Sequence, residues 1–279
     1  MRSQRPREAS RACASACEHG QPRPGLRLRG SALDLWNELE VSEGDGGADL
    51  DHLGVRAFAQ LASPEGKRFA FTDRIPRRRG LGSSAAVIAL GLVAASAVSG
   101  RHAEVEELLA EGVELEGHPD NLAAALAGGV CLTWDGRVAR LADSPPAVPI
   151  ALVPDATVST AEARSTLPQQ VSHAHATFTV GRAALLGAAL ASHSAELFAD
   201  SLQDRLHEPY RAVNAPLLED VRARLPAGAL GATISGSGPT VVVWAREDTV
   251  DACVAELSSR YGEVEVIALP ATPKGAHAL

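Results

Sequence analysis

The chain places a glycine–serine turn, Arg79-Gly-Leu-Gly-Ser-Ser-Ala-Ala86, directly before a long apolar run. Gly80 and Gly82 admit positive φ and let the backbone come close to a ligand. Ser83 and Ser84 add two hydroxyls, and the first amides of the helix that follows have no partner within it. Such a terminus attracts anions, phosphate above all. The turn lacks the Lys-Ser/Thr pair of a Walker A loop and the third glycine of a dinucleotide fingerprint. Two readings stand at this point: an ordinary capped helix start, or a nucleotide phosphate site.

Other clusters carry residue types of the same chemistry. Glu116-Gly-His-Pro-Asp-Asn121 sets an acid, an imidazole, a second acid and an amide before a further apolar segment. Taken alone, Asp120 or Asn121 is a helix cap and Glu116 a solvated helix-end acid. Ser159-Thr-Ala-Glu-Ala-Arg164 and Asp204-Arg-Leu-His-Glu-Pro-Tyr-Arg211 each end on an arginine. A lone arginine there is usually a surface residue, although its fork can take a carboxylate through two parallel hydrogen bonds. Ile234-Ser-Gly-Ser-Gly-Pro-Thr240 reads as a tight turn between two strands.

Together with Pro76-Arg-Arg-Arg-Gly80, these clusters give a chain that resembles the GHMP family of small-molecule kinases, in its homoserine branch, over about Ser31 to Ala268. The resemblance implies that Pro76, Arg77, Arg78, Arg79, Gly80, Leu81, Gly82, Ser83, Ser84, Ala85 and Ala86 form the ATP motif. It implies that Ser84 and Glu116 help hold Mg²⁺, a cation that takes hard oxygen ligands and commonly needs only one or two from the protein. His118, Asn121, Arg164, Arg211 and Gly236 are implied to bind the second substrate, L-homoserine, with the two arginines at its carboxylate. Asp120 and Asn121 are the implied catalytic pair. Asn121 orients the acceptor hydroxyl and Asp120 is available as a base. A loose phosphoryl transition state needs little early proton transfer, so positioning can dominate. The turn around Gly236 is implied to support the phosphate loop. The expected activity is ATP-dependent phosphorylation of an alcohol, on the route to threonine, with a homodimer as the expected assembly. The rival within the family is a kinase for mevalonate or a related alcohol; the arginine pair favours a carboxylate-bearing amino acid.

The elements that must position these residues follow from pattern. Alternation predicts a strand over 32–41, and helical spacing predicts a helix over 51–62. A short strand over 68–73 leads to the glycine turn and a buried helix from Ser83 to about Ser99, closed by Gly100. Helices over 103–115 and 119–127 follow, the second with Pro119 in its first turn. A hairpin turns at Asp135-Gly136, and Ser144-Pro-Pro146 marks a domain boundary. Beyond it come a strand (148–153), helices (160–166, 169–192, 195–206, 212–224), strands (229–235, 240–244), a helix (249–259) and a strand (264–268). Both halves are α+β, without the regular alternation of a doubly wound sheet. The resemblance implies a two-domain GHMP kinase fold. A ribosomal-protein-like ATP-binding unit covers 31–146 and a ferredoxin-like unit 147–279, with the site in the cleft between them.

Composition excludes other classes. Hydrophobic residues make up 46% and charged residues 22% of the 279 residues, as in a globular protein. A net charge of −8 and only 4% aromatic residues argue against nucleic acid as a partner. No apolar run is long enough for a membrane span, and the basic N-terminus lacks an apolar signal core. Four scattered cysteines suit a reducing cytoplasm, and Cys13, Cys17 and His19 lack a fourth metal ligand nearby.

The first thirty residues differ from the rest. Seven arginines and three prolines with almost no aliphatic pattern predict a disordered basic arm. A second expectation concerns the gene. With only two lysines, Lys67 and Lys274, the chain has the composition of a GC-rich source. With free choice of synonymous codons, residues 16–30 shifted by one nucleotide read PASTANLGPAFDCVG. This predicts that the segment before about Gly30 is translated out of frame, and that the polypeptide as written is catalytically impaired. The resemblance places the acid for the substrate ammonium in this stretch, and the shifted AFD triplet supplies one.

Overall fold

A computed structural model describes residues 8–17, 30–44, 49–158, 163 and 166–279, the first of these stretches by its backbone alone. Two antiparallel sheets organise the chain. In the first, β1 (Glu8–Cys17), β2 (Gly30–Glu43), β3 (Lys67–Thr72), β4 (Val130–Trp134), β5 (Arg137–Ala142) and β10 (His277–Ala278) run in the order β10-β1-β2-β4-β5, with β3 also on β2. β2 reaches so many partners because it is 14 residues long. It pairs β1 along one edge, and on the other β3 through 38–43 and β4 through 30–31. Leu39 and Val41 alternate into the core, as the sequence pattern predicts.

Four helices cover this sheet: α1 (Leu53–Phe58), α2 (Ser83–Val98), α3 (Val105–Glu116) and α4 (Pro119–Ala127). α2 is mostly alanine, valine and leucine and is buried on nearly every side. Small side chains let its neighbours close in. A Cβ built on Gly91 would stand 2.1 Å from the Gly54 carbonyl oxygen of α1.

The second sheet holds β6 (Val148–Val153), β7 (Ala229–Ile234), β8 (Val241–Ala245) and β9 (Glu265–Ala268) in the order β7-β8-β6-β9. With α5 (His173–Ser192) after β6 and α9 (Val250–Arg260) after β8, this is a ferredoxin-like βαββαβ arrangement. The two-domain α+β fold therefore stands, and the turn between β5 and β6 falls at Ser144-Pro-Pro146.

Several boundaries are corrected. The helix predicted from 169 starts at His173, where the Ser172 hydroxyl caps it by accepting from the His175 amide at 3.2 Å. The helix predicted over 195–206 stops as α6 (Ala195–Ser201). The Asp204 carboxylate accepts the amides of Leu206 (3.0 Å), His207 (2.6 Å) and Glu208 (2.7 Å), and so starts the separate α7 (Glu208–Arg211). The helix predicted over 212–224 breaks into a 3₁₀ turn and α8 (Leu217–Ala223), because Pro216 brings no amide hydrogen.

Two larger corrections concern the chain ends. Residues 8–17 form a strand where composition predicted disorder. A backbone ladder needs no particular side chains, and the free edge of β2 offers its N–H and C=O groups for pairing. The remainder of 1–30, apart from Gly30, lies outside the described residues. The expected C-terminal unit also ends early, because the tail returns to the first sheet. The Thr272 amide donates to Ala32 O at 2.9 Å, the Ala276 amide to Ala125 O at 2.7 Å, and β10 pairs β1.

Candidate active site

The glycine turn is shaped by its own glycines. Gly80 and Gly82 have φ of 82° and 69°, and Gly82 is the residue from which α2 starts. Leu81, Ala85 and Ala86 are buried in the core, so their side chains anchor the turn and only their backbone can serve a ligand. Gly80 is clamped from the second half of the chain. The Ser235 hydroxyl donates to Gly80 O at 2.8 Å, and a Cβ on Gly80 would stand 2.2 Å from Ser235 O. The Val158 amide donates to Arg78 O at 3.0 Å, and Arg79 Nη2 reaches both Asp155 O and Oδ1 at 3.3 Å.

Opposite the turn, α3 ends at Glu116 and Gly117 turns the chain at φ 78°; His118 is extended and Pro119 begins α4. This compact corner produces a polar string. Ser84 Oγ donates to Glu116 Oε2 at 2.6 Å. His118 Nε2 lies 3.6 Å from Glu116 Oε1, and His118 Nδ1 lies 2.6 Å from Asp120 Oδ1. The same Asp120 oxygen accepts from the Asn121 amide at 3.0 Å. A carboxylate only accepts, so the His118 proton sits on Nδ1. Glu116 and Ser84 present hard oxygens side by side, a donor set that fits a magnesium ion.

Arg211 enters from α7. It is 4% exposed, and its Nη1 donates to Gly236 O at 3.0 Å. α7 is held against β7 through Glu208, which pairs Arg222 at 2.7 Å, while Arg222 donates to Ala232 O. Burial pushes the Glu208 carboxyl above its ordinary range, and Arg222 opposes that rise.

One cavity of about 550 Å³ collects these groups. Arg77, Arg78, Gly80, Leu81, Gly82, Ser83, Ser84, Glu116, His118, Asp120, Asn121, Arg211 and Gly236 line it. Pro76, Arg79, Ala85 and Ala86, also expected in the ATP motif, do not, and Arg164 lies outside the described residues. Asp51, His52, Leu53, Val87 and Val158 line it without having been expected, and Ser237 joins them from the turn that the resemblance sets beside the phosphate loop. Helical spacing located the segment of the first three, but nothing in their types marked them as a site. Among the described residues no helix is long and apolar enough to cross a membrane.

A glycine–serine turn at the head of a buried helix, an acid beside its serine and a ferredoxin-like second domain are the features that the GHMP class of small-molecule kinases shares. The GHMP kinases N terminal domain family matches residues 52–129, and the GHMP kinases C terminal family matches 185–263. The homoserine kinase of Streptomyces coelicolor is 40% identical over 254 residues, covering 82% of each chain. That of Carboxydothermus hydrogenoformans is 35% identical over 278 residues, covering 91% of each. The solved homoserine kinase of Cytophaga hutchinsonii superposes with a TM-score of 0.84 at 25% identity, over 100% of this chain and 99% of that one. Streptococcus pneumoniae phosphomevalonate kinase, at 13% identity and a TM-score of 0.73, covers 94% of this chain and 98% of its own and shares the fold alone. The chain belongs to the homoserine kinase family of GHMP kinases.

Proposed function

We propose that this chain transfers the γ-phosphoryl group of ATP to the hydroxyl of L-homoserine, giving O-phospho-L-homoserine and ADP on the route to threonine. The acceptor oxygen bonds to the γ-phosphorus and the bond from that phosphorus to the β–γ bridging oxygen breaks. ADP leaves, and the hydroxyl proton passes to solvent. The observation that carries this reading is the single cavity in which the glycine turn meets both Glu116–Asn121 and Arg211.

Backbone amides at Gly80–Ala85 take the phosphates at the start of α2. Ser84 and Glu116 hold Mg²⁺, which when bound offsets charge on the transferring group. Asn121 aligns the acceptor hydroxyl, and His118 faces the same substrate. Asp120 holds His118 by its Nδ1 proton rather than taking a proton from the substrate. Arg211, fixed by Gly236, receives the substrate carboxylate together with Arg164, the partner that the family resemblance supplies. We place the enzyme in the cytoplasm, as a homodimer, with no nucleic-acid or membrane partner.

ADP release measured with homoserine, mevalonate and simple amino alcohols tests the reading. Release is expected with homoserine and Mg²⁺, and only weakly with alcohols that lack the carboxylate. Equal or faster release with mevalonate would overturn it.

A further inference from the structure

α7 is four residues long and carries Arg211 at its last position. A helix of that length does not hold itself, because nucleation is costly and a single turn returns few hydrogen bonds. Something outside it must set its direction, and with it the direction from which Arg211 enters the cavity. His207, at its N-cap, gives no side-chain hydrogen bond, and Pro209 brings no amide hydrogen.

Asp204 takes that part from the preceding loop. Its side chain is 1% exposed. Oδ2 accepts the amides of His207 (2.6 Å) and Glu208 (2.7 Å), and Oδ1 accepts that of Leu206 (3.0 Å). The Glu208 amide shares a peptide plane with the His207 carbonyl, and that carbonyl accepts the amides of Tyr210 and Arg211, both at 3.1 Å. One rigid peptide is therefore gripped by the carboxylate on one side and by the backbone of Arg211 on the other. The carboxylate is itself braced. The Thr179 hydroxyl of α5 donates to Asp204 Oδ1 at 3.4 Å and accepts the Arg205 amide at 3.2 Å. α5 runs for 20 residues and makes a firm base. A carboxylate is costly to bury unless donors meet its charge, and its bonds to backbone amides are then stronger than those of a neutral cap.

We infer that Asp204 is a positioning residue for acceptor recognition. Through the His207–Glu208 peptide it fixes where Arg211 presents its guanidinium, and so sets the preference for an acceptor that carries a carboxylate. The inference rests on the assignment of Arg211 to the substrate carboxylate and adds what aims that arginine. Asp204 is not among the residues that line the active-site cavity, so it acts only through Arg211.

ADP release from the full chain, measured with homoserine and with the amino alcohol that is homoserine without its carboxylate, tests it. A carboxylate contact serves ground state and transition state alike, so its loss appears in KM. Asp204→Ala is expected to raise the KM for homoserine about tenfold, with kcat, the KM for ATP and the kcat/KM for the amino alcohol unchanged. Asp204→Asn, which keeps one acceptor oxygen, is expected to recover part of that loss. In an Arg211→Ala background, Asp204→Ala is expected to weaken homoserine no further, since both act through one contact. Turnover of both acceptors lowered together would mean a merely structural role and would overturn the inference. So would an unchanged KM for homoserine, or additive losses in the double variant. If Asp204→Ala does not fold, Asp204→Asn decides: a raised KM for homoserine with the amino alcohol untouched supports the inference, and equal change or none in the two acceptors overturns it. An Arg211→Ala variant that keeps the preference for homoserine would sink the role proposed for Arg211 and the inference with it. Loss of that preference in Arg211→Ala but not in Asp204→Ala would sink the inference alone.

Discussion

Asp120 is 1% exposed, and one of its carboxylate oxygens serves both the His118 ring and the Asn121 amide. A general base must reach the proton it removes, and loss of one costs roughly 10²–10⁴-fold in rate. A residue that orients a neighbour costs less when its hydrogen bond is kept. Asp120→Asn retains an acceptor for the Nδ1 proton, so kcat is expected to fall by less than about tenfold, whereas Asp120→Ala, which frees the ring, falls further. A loss of about 10³-fold in the Asn variant, measured by ADP release at saturating substrates, would restore the base to the mechanism. Taken by itself Asp120 reads as a helix cap, and it is the family resemblance that marks it as a site residue. Its burial and its bond to His118 arise only when Gly117 and Pro119 fold the corner, so base and orienter look alike in the sequence. His52 and Leu53 were hidden for a different reason. They belong to the site because α1 packs beside α2, a long-range contact with no local signature.

At the scale of elements, punctuation was legible and interruption was not. Gly100, Pro119 and Asp135-Gly136 sit where the chain turns or starts a helix. The break after Ser201 has no sequence signal, because Asp204 satisfies three amides by itself while an acid at that position also fits helical spacing. Glycine inside helices sharpens the point, since two such residues should respond with opposite sign. A Cβ on Gly91 of α2 meets the Gly54 carbonyl oxygen of α1 at 2.1 Å, whereas a Cβ on Gly181 of α5 meets nothing within 4 Å. Gly91→Ala is expected to force α1 from α2 and to destabilise the fold by about 1–3 kcal/mol, the overpacking cost outweighing a gain in helix propensity. Gly181→Ala should stabilise it by about 0.5–1 kcal/mol through backbone entropy alone. Urea denaturation of the two variants gives both signs. A stable Gly91→Ala protein would mean that α1 is looser against α2 than its packing requires.

At the scale of the whole molecule, one edge of the first sheet is built from two segments far apart in sequence, β1 and β10. Composition hid the first behind arginine and proline, and two-residue β10 is too short for any periodic signal. Gly30 joins this edge to the site: a Cβ there would stand 2.6 Å from Asp120 O and 2.7 Å from Ala124 Cβ. Both reading frames keep that glycine, and they diverge immediately before it, in the stretch that the family resemblance assigns to the acid for the substrate ammonium. If the shifted reading is the native one, the chain as written retains the phosphate turn, the Ser84–Glu116 pair and Arg211 while lacking one charge partner of the zwitterionic substrate. MgATP affinity should then be equal in the 279-residue chain and in a chain whose residues 16–29 are replaced by PASTANLGPAFDCV. The kcat/KM for homoserine should rise by about two orders of magnitude in the second, the scale of loss that follows from a misplaced reactant. Nucleotide titration and homoserine-dependent ADP release on the two proteins separate these effects. Equal turnover by both would show that residues 16–29, as written, already complete the substrate wall.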